Sequence, residues 1–151
     1  MALALALRLR DGGATLPAAI VAMSPWTDLA LTGASLVSNA RADPMLNADD
    51  VPHLADRYLA GADPRDPYAS PLYGDTAGLP PTLIQVGSDE ILRDDSVRMA
   101  QRMRDAGCDV TLEIWPRMPH VWHGFVSVMP EARAAIARIG AFVRRHTSAE
   151  D

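Results

Sequence analysis

A strand, a helix and a second strand follow one another between residues 81 and 115, and this unit restricts the chain to a small number of folds. The apolar run 82–86 has the length of a strand that is buried on both faces of a sheet. Helix-capping residues at 94–96 and a helix-ending Gly107 bracket an amphipathic segment, and a β-branched and aromatic run follows at 109–115. Because a helix joins the two strands, we predict that they are parallel and that their carboxyl ends share one sheet edge.

Three parallel strands with flanking helices are the architecture that the whole chain predicts, which is an α/β fold. A third apolar strand is predicted near 18–23, beside the strands near 82–87 and 109–115. The tail from Pro130 to His146 has the pattern of an amphipathic helix and is expected to pack on one sheet face. Its predicted apolar stripe consists of Ala135, Ile136, Ile139 and Val143.

The segment 31–67 differs from the rest of the chain because it is irregular and rich in Asp, Asn, Gly and Pro. Only one helix is predicted in it, over 48–59, with Asn47 as its capping residue. The pattern indicates an insertion, after which the chain returns to the sheet near 78–81. Residues 147–151 are expected to be a frayed polar end.

Two acids follow the first strand of the strand–helix–strand unit, and two histidines follow the second. In open α/β sheets, ligands and chemistry lie at the carboxyl edge of the strands. A carboxylate that holds one imidazole nitrogen as a donor leaves the other nitrogen free to accept a proton, as a general base must. We interpret the pair as two members of a hydrolytic triad. The residues alone leave Asp89 or Glu90 as the acid and His120 or His123 as the base.

The sequence GLPPTLIQVGSDEILRDD, preceded by DPYASPLYGD and followed by WPRMPH, resembles the C-terminal half of a bacterial hormone-sensitive-lipase-type esterase in the α/β-hydrolase superfamily. In that family a Gly-x-x-acid-x-Leu-x-Asp loop supplies the triad acid, and a Pro-x-Met-x-His loop supplies the base. A gapless match places the acid at Glu90 and the base at His120. Family members usually carry Asp at the acid position, so Glu90 is a departure and Asp89 is the alternate. His123 is the alternate base, because it begins a His-Gly-Phe tripeptide that many members have at the catalytic histidine.

The resemblance extends to the first residues of the chain. Residues 2–7, which alternate Ala and Leu, are similar to the helix that follows the nucleophile elbow in this family. The elbow motif Gly-x-Ser-x-Gly and a His-Gly-Gly oxyanion loop occur nowhere in the sequence. The resemblance therefore implies that residues 1–151 are the C-terminal part of a single α/β-hydrolase domain, with 31–67 as a cap-like insertion and the nucleophile-bearing N-terminal half absent. An unpaired strand edge is then expected, with self-association or the missing half as its partner.

The segment from Ser24 to Asp28 is similar to a Ser-Pro-Trp-x-Asp segment that lies at a strand end in the same family. Ser24 is not expected to be a nucleophile, because Pro25 blocks the strand-to-helix turn that would expose it. No nucleophile is therefore expected in this chain. Trp26 and Trp122 are the candidate walls of a substrate pocket, with packing in the core as the alternative for both.

Charge and composition argue against several other functions. The formal net charge of −5, with no clustered arginines, disfavours a nucleic-acid partner. No apolar run is long enough to span a membrane and the first residues lack the features of a signal peptide, so a cytoplasmic location is expected. No set of His and Cys residues has metal-ligand spacing, and Cys108 stands alone. Neither a metal nor another cofactor is expected.

The resemblance implies hydrolysis of small carboxylic esters through an acyl-enzyme, with this chain supplying the acid and the base. The competing hypothesis is a catalytically inactive fragment or pseudo-enzyme that acts as a binding partner or as half of a split protein.

Overall fold

The three predicted strands form one parallel sheet in the computed structural model, which describes residues 1–147. They are β1 (Ile20–Met23), β2 (Thr82–Gly87) and β3 (Val110–Trp115), in the order β1-β2-β3. Thr82 lies opposite Ile20 on one side and opposite Val110 on the other. Every residue of β2 is buried, as the uninterrupted apolar run predicts. The predicted α/β fold with parallel strands is confirmed.

Helices connect and flank these strands within residues 1–147. They are α1 (Ala2–Asp11), α2 (Ser35–Ser38), α3 (Val51–Leu59), α4 (Arg93–Asp105) and α5 (Pro130–Thr147). Two 3-10 turns lie at Pro71–Tyr73 and Trp122–Phe125. The polar end predicted at 147–151 lies outside the described residues from 148 onward.

The helices occupy both faces of the sheet. On one face, Leu7 of α1 and Met99 of α4 join Ile84 of β2 in the main apolar core. The next residue of β2, Gln85, donates from Nε2 to the carbonyl of Ala135 in α5 at 3.4 Å. Because successive strand residues point to opposite faces, α1 and α4 cover one face and α5 covers the other. No helix within residues 1–147 combines the length and the apolar character that crossing a membrane requires.

The insertion contains more helix than predicted, and its longer helix starts later. A short helix, α2, precedes α3, and α3 begins at Val51 instead of Ala48. Asn47 Oδ1 accepts the amide of Asp49 at 3.1 Å, which closes a turn before the helix instead of capping it.

The acids at the start of α4 do not cap their own helix, which has no side-chain N-cap. Asp94 Oδ2 accepts the amide of Ser35 at 2.9 Å, and Asp95 Oδ2 accepts the amides of Thr27 and Asp28, both at 2.8 Å. The capping prediction is therefore wrong, because these carboxylates satisfy loop amides that come from elsewhere in the chain. Their effect is to hold the loop after β1 and the start of α2 against α4.

The buried stripe of α5 is rotated from the predicted one. Ala132, Ala135 and Phe142 are its buried residues. Ile136 and Val143, which the predicted stripe included, are 41% and 38% exposed. The helix is present and Ala135 is buried as predicted, but Phe142 is buried in place of its neighbour Val143, and Ile136 is exposed. Apolar surface on α5 is consequently left in contact with solvent.

Candidate active site

The side chain of Glu90 lies at the centre of a hydrogen-bonded cluster at the carboxyl edge of the sheet. It follows β2 in a tight turn and is fully buried. Its Oε1 accepts the amide of Gly87 at 2.6 Å and the hydroxyl of Ser24 at 2.7 Å. Its Oε2 lies 3.0 Å from Nδ1 of His120. A buried carboxylate needs such donors to remain charged, and here each oxygen has at least one.

The loop that carries His120 follows β3 and lies directly against the end of β2. A Cβ atom on Gly87 would lie only 1.9 Å from the carbonyl oxygen of Met118. Only glycine therefore allows this approach. The amide of Arg117 donates to Ser88 Oγ at 2.8 Å, and the amide of Val121 donates to Ser24 Oγ at 3.1 Å. The histidine loop is thus fastened on both sides of His120.

The contact with Glu90 determines which nitrogen of His120 is available for chemistry. An ionised carboxylate can only accept hydrogen bonds, so Nδ1 of His120 carries the proton in this contact. Nε2 then presents a lone pair, and it has no hydrogen-bond partner among residues 1–147. The His120 side chain is 23% exposed. A hydroxyl group that approached Nε2 from outside could transfer its proton to it.

The alternates Asp89 and His123 are not brought together. Asp89 accepts the hydroxyl of Ser88 at 2.7 Å, and among residues 1–147 no hydrogen bond joins it to His120. His123 is 5% exposed, and its Nε2 lies 2.8 Å from Oε1 of Gln85. Burial lowers the pKa of His123 to about 4. The geometry therefore pairs Glu90 with His120 and leaves His123 as a buried neutral residue.

The tautomer of His123 follows from its neighbours. Nε2 of Gln85 donates to Glu113 Oε2 at 2.8 Å, because a carboxylate cannot donate. Oε1 of Gln85 is then the atom that faces His123, and it accepts from Nε2 of the imidazole. Arg138 of α5 completes the series with a 3.0 Å contact to Glu113 Oε1. His123 thus links the histidine loop to β2, β3 and α5.

The two candidate pocket tryptophans have different surroundings. Trp122 is fully buried and its ring centroid lies 3.9 Å from that of His123 and 5.8 Å from that of Trp115. Trp122 is therefore placed as a packing residue of the core, which was the alternative to a role as a pocket wall. Trp26 is partly exposed and lines a cavity of about 320 Å³. The other residues that line the cavity are Met1, Leu29, Leu54, Tyr58 and Ala69.

Ser24 belongs to the cluster in a way that the sequence analysis missed. Its hydroxyl donates to Glu90, so its proton is directed at a carboxylate and not at an imidazole. Among residues 1–147 the only side chain bonded to His120 is that of Glu90. The signal that could have identified Ser24 is positional, since it directly follows β1 at the same sheet edge that carries Glu90 and His120. No group of three or more potential metal ligands occurs among the described residues.

A paired acid and imidazole at the carboxyl edge of a parallel α/β sheet define a hydrolase-like site. A family model described as the alpha/beta hydrolase fold matches residues 1–124. The chain belongs to the α/β-hydrolase fold family.

Individual relatives are esterases and acetyl-hydrolases. The chain is 51% identical over 147 residues to an acetyl-hydrolase from Streptomyces hygroscopicus, which covers 97% of this chain and 49% of the relative. It is 40% identical over 143 residues to an esterase from Acinetobacter venetianus, and this match covers 94% of this chain and 47% of the relative. Among solved structures, an esterase from the bacterial hormone-sensitive lipase family superposes with a TM-score of 0.95 at 47% identity, covering 97% of this chain and 49% of that one. The chain thus spans about half the length of these relatives.

Proposed function

We propose that this chain supplies the acid, Glu90, and the base, His120, of a carboxylic ester hydrolase that uses a Ser-acid-His triad. The observation that carries the proposal is the 3.0 Å contact between Glu90 Oε2 and His120 Nδ1. It is the contact that orients an imidazole for general base catalysis, and Nε2 stays available for a hydroxyl nucleophile. The esterase and acetyl-hydrolase names of the relatives support esters with a small acyl group as the substrate class.

The roles of the two residues follow from their protonation. His120 Nε2 takes the proton of a serine hydroxyl as that oxygen attacks the ester carbonyl, and an acyl-enzyme forms as the alkoxide leaves with the same proton. Glu90 holds the imidazole in the Nδ1–H tautomer and stabilises the imidazolium that forms transiently. The attacking serine and the oxyanion donors belong, in this proposal, to a segment N-terminal to Met1, because the sequence contains no Gly-x-Ser-x-Gly motif.

The cavity beside Trp26 is the candidate acyl-binding site. Its walls come from the loop after β1 and from Leu54 and Tyr58 of α3, which lies in the cap-like insertion 31–67. Both sides are apolar, which suits a short acyl chain. The exposed face of Trp26 supports its role as a pocket wall.

The second candidate function is that of a binding partner without catalysis of its own. The edge of β1 that faces away from β2 has no strand beside it among residues 1–147. Met1 and Met23, on the walls of a groove of about 150 Å³ along this edge, are 93% and 42% exposed. An unpaired edge with apolar neighbours favours association with another chain or segment.

The test joins the part of the Streptomyces relative that the match leaves uncovered to Met1 of this chain. We expect the joined protein to hydrolyse a short-acyl aryl ester and His120→Ala to abolish turnover. His123→Gln is the matched control and should retain most of the turnover, measured under conditions in which this variant is folded. The isolated chain should not turn over the ester. Turnover that survives His120→Ala, or covalent labelling of the isolated chain by a serine-reactive phosphonate, would contradict the proposal. Binding of the isolated chain to the separately produced segment of the relative, with no turnover by the joined protein, would favour the binding function.

A further inference from the structure

Ser24 has an unusual backbone conformation and almost no exposure. It lies directly after β1 and before Pro25, is 3% exposed and has a φ of +46°. L residues other than glycine rarely adopt this left-handed conformation, and it persists where the surroundings hold it in place. Ser24 is held by the bond from its amide to the carbonyl of Gln85 at 2.7 Å and by two hydrogen bonds of its hydroxyl. A serine held in this way is a candidate for a specific role.

The hydroxyl of Ser24 joins the acid to the loop that carries the base. It donates to Glu90 Oε1 at 2.7 Å and accepts the amide of Val121 at 3.1 Å. Neither bond can run in the opposite direction, because a carboxylate cannot donate and an amide N–H cannot accept. Ser24, Glu90 and Val121 follow β1, β2 and β3 respectively. One small group therefore connects the ends of all three strands around the Glu90–His120 contact.

We infer that Ser24 is a positioning residue for the Glu90–His120 pair and that it acts through its hydroxyl. The catalytic value of this role rests on the proposed function, whereas the positional role does not. Without the hydroxyl, Oε1 of Glu90 would retain only the amide of Gly87, and the amide of Val121 would lose its partner. The carboxylate could then rotate and the adjacent His120 could move away from it. Alanine and glycine supply neither bond, and only a hydroxyl on Cβ supplies both.

The first experiment measures the contact directly in the 151-residue chain, without any catalytic assay. In proton–nitrogen NMR of the histidine side chains, the Nδ1–H of His120 bonded to Glu90 should give a far-downfield signal, assigned by its absence in His120→Gln. We expect Ser24→Ala and Ser24→Gly each to move this signal upfield or to remove it by exchange with water. The amide of Val121 should exchange with solvent about tenfold faster in both variants.

The two Ser24 variants separate the hydroxyl from the backbone. Glycine relieves the positive-φ conformation and alanine does not, so a role in backbone geometry alone predicts that Ser24→Gly keeps the His120 signal. If the His120 signal is lost equally in Ser24→Ala and Ser24→Gly, the effect is assigned to the hydroxyl. Ser24→Gly also serves if Ser24→Ala fails to fold.

Ser88→Ala is the matched control. Ser88 Oγ donates to Asp89 at 2.7 Å and accepts the amide of Arg117 at 2.8 Å, which are the same two kinds of bond on the neighbouring acid. The His120 signal should move far less in this variant than in the Ser24 variants, because Ser88 bonds to Asp89 and not to Glu90. Retention of the signal and of Val121 protection in both Ser24 variants would overturn the inference. A wild-type His120 Nδ1–H signal at the position of an unbonded imidazole would overturn it too, because the Glu90–His120 contact would then be absent.

A second readout uses the joined protein described above. Ser24→Ala should lower kcat roughly 100-fold while KM changes little, because misplacement of the pair affects the transition state more than substrate binding. The acid limb of its pH–rate profile should also move, which a loss of stability alone would not cause. If the joined protein is inactive even with Ser24 present, the proposed function fails while the NMR result still decides the role of Ser24. An unchanged kcat in active, folded Ser24→Ala and Ser24→Gly would overturn the inference.

Discussion

Asp28 and Asp95 are buried side by side against one arginine. Nη2 of Arg98 lies 2.8 Å from Asp28 Oδ2 and 3.4 Å from Asp95 Oδ1. Burial opposes ionisation of Asp28, but hydrogen bonds from Thr32 and Arg98 outweigh it and hold its pKa below the ordinary value. Burial raises the pKa of Asp95 to about 6, and the negative charge of Asp28 adds to the increase. One carboxyl of the pair is thus prepared to hold a proton near pH 6.

Replacement of Asp95 by Asn should change how stability depends on pH. Between pH 3.8 and about 6, the folded protein keeps a proton on Asp95 that the unfolded chain has lost. Its contribution to the free energy of unfolding is therefore full below this range and is lost as pH rises through it, by about 3 kcal/mol. Asp95→Asn should remove this decrease. Urea unfolding across the range measures it, and a variant with the same slope as the wild type would contradict the assignment.

His123 should contribute to the pH dependence of stability with the opposite sign to Asp95, over nearly the same pH range. Burial lowers its pKa from 6.5 to about 4, so the unfolded chain binds a proton that the folded protein does not. Its contribution to the free energy of unfolding is present above pH 6.5 and is lost as pH falls toward 4. The two contributions should largely cancel in the wild type. His123→Gln should leave stability that falls with rising pH, and Asp95→Asn should leave stability that rises. Variants with parallel pH curves would refute this account.

Replacement of Gly87 by Ala should destabilise the protein severely. The added Cβ would meet the backbone carbonyl of Met118, which cannot rotate away as a side chain could. We expect a loss of about 3 kcal/mol in the free energy of unfolding, measured by urea titration. Gly124→Ala is the matched control, since a Cβ there meets no atom within 4 Å. A Gly87→Ala variant as stable as Gly124→Ala would show that the loop does not pack as described.

The choice between the two neighbouring acids can be tested in the joined protein. Glu90→Gln keeps the size of the side chain but removes the charge that fixes the tautomer of His120, so turnover should fall by about 10⁴-fold. Asp89→Asn should change turnover far less, because Asp89 bonds only to the hydroxyl of Ser88 among the described residues. The reverse ranking in steady-state kinetics would assign the acid to Asp89.

The strands and the parallel topology were predictable because their signals are local. The run 82–87 is buried at every position, and a long apolar run between breakers is typical of such a strand. The rotation of α5 was not predictable in the same way. A helical apolar pattern leaves the direction of the buried face uncertain when several adjacent positions are apolar, and only packing chose Phe142 over Val143.

The partners of the polar residues could not be predicted, because they lie far away in sequence. Asp95 carries the local signal of a helix cap, yet it bonds to amides at Thr27 and Asp28 that no local pattern connects with it. Ser24 has the local signal of a turn, and its bond to Glu90 depends on the pairing of β1 with β2. The resemblance and the spacing of its motifs predicted Glu90 and His120 as the acid and the base, and the geometry adds Ser24 beside them.

The arrangement of the site on three strand ends has a consequence for folding. The bonds of Ser24 to Glu90 and Val121 close chain separations of 66 and 97 residues, and the Glu90–His120 contact closes one of 30. Closing longer loops costs more conformational entropy, and folds rich in such distant contacts form more slowly. Because the bonds of Ser24 also involve the end of β1, we expect the acid and the base to acquire their final orientation only when both crossovers are in place. We expect their contact to report on a late step in the folding of this chain.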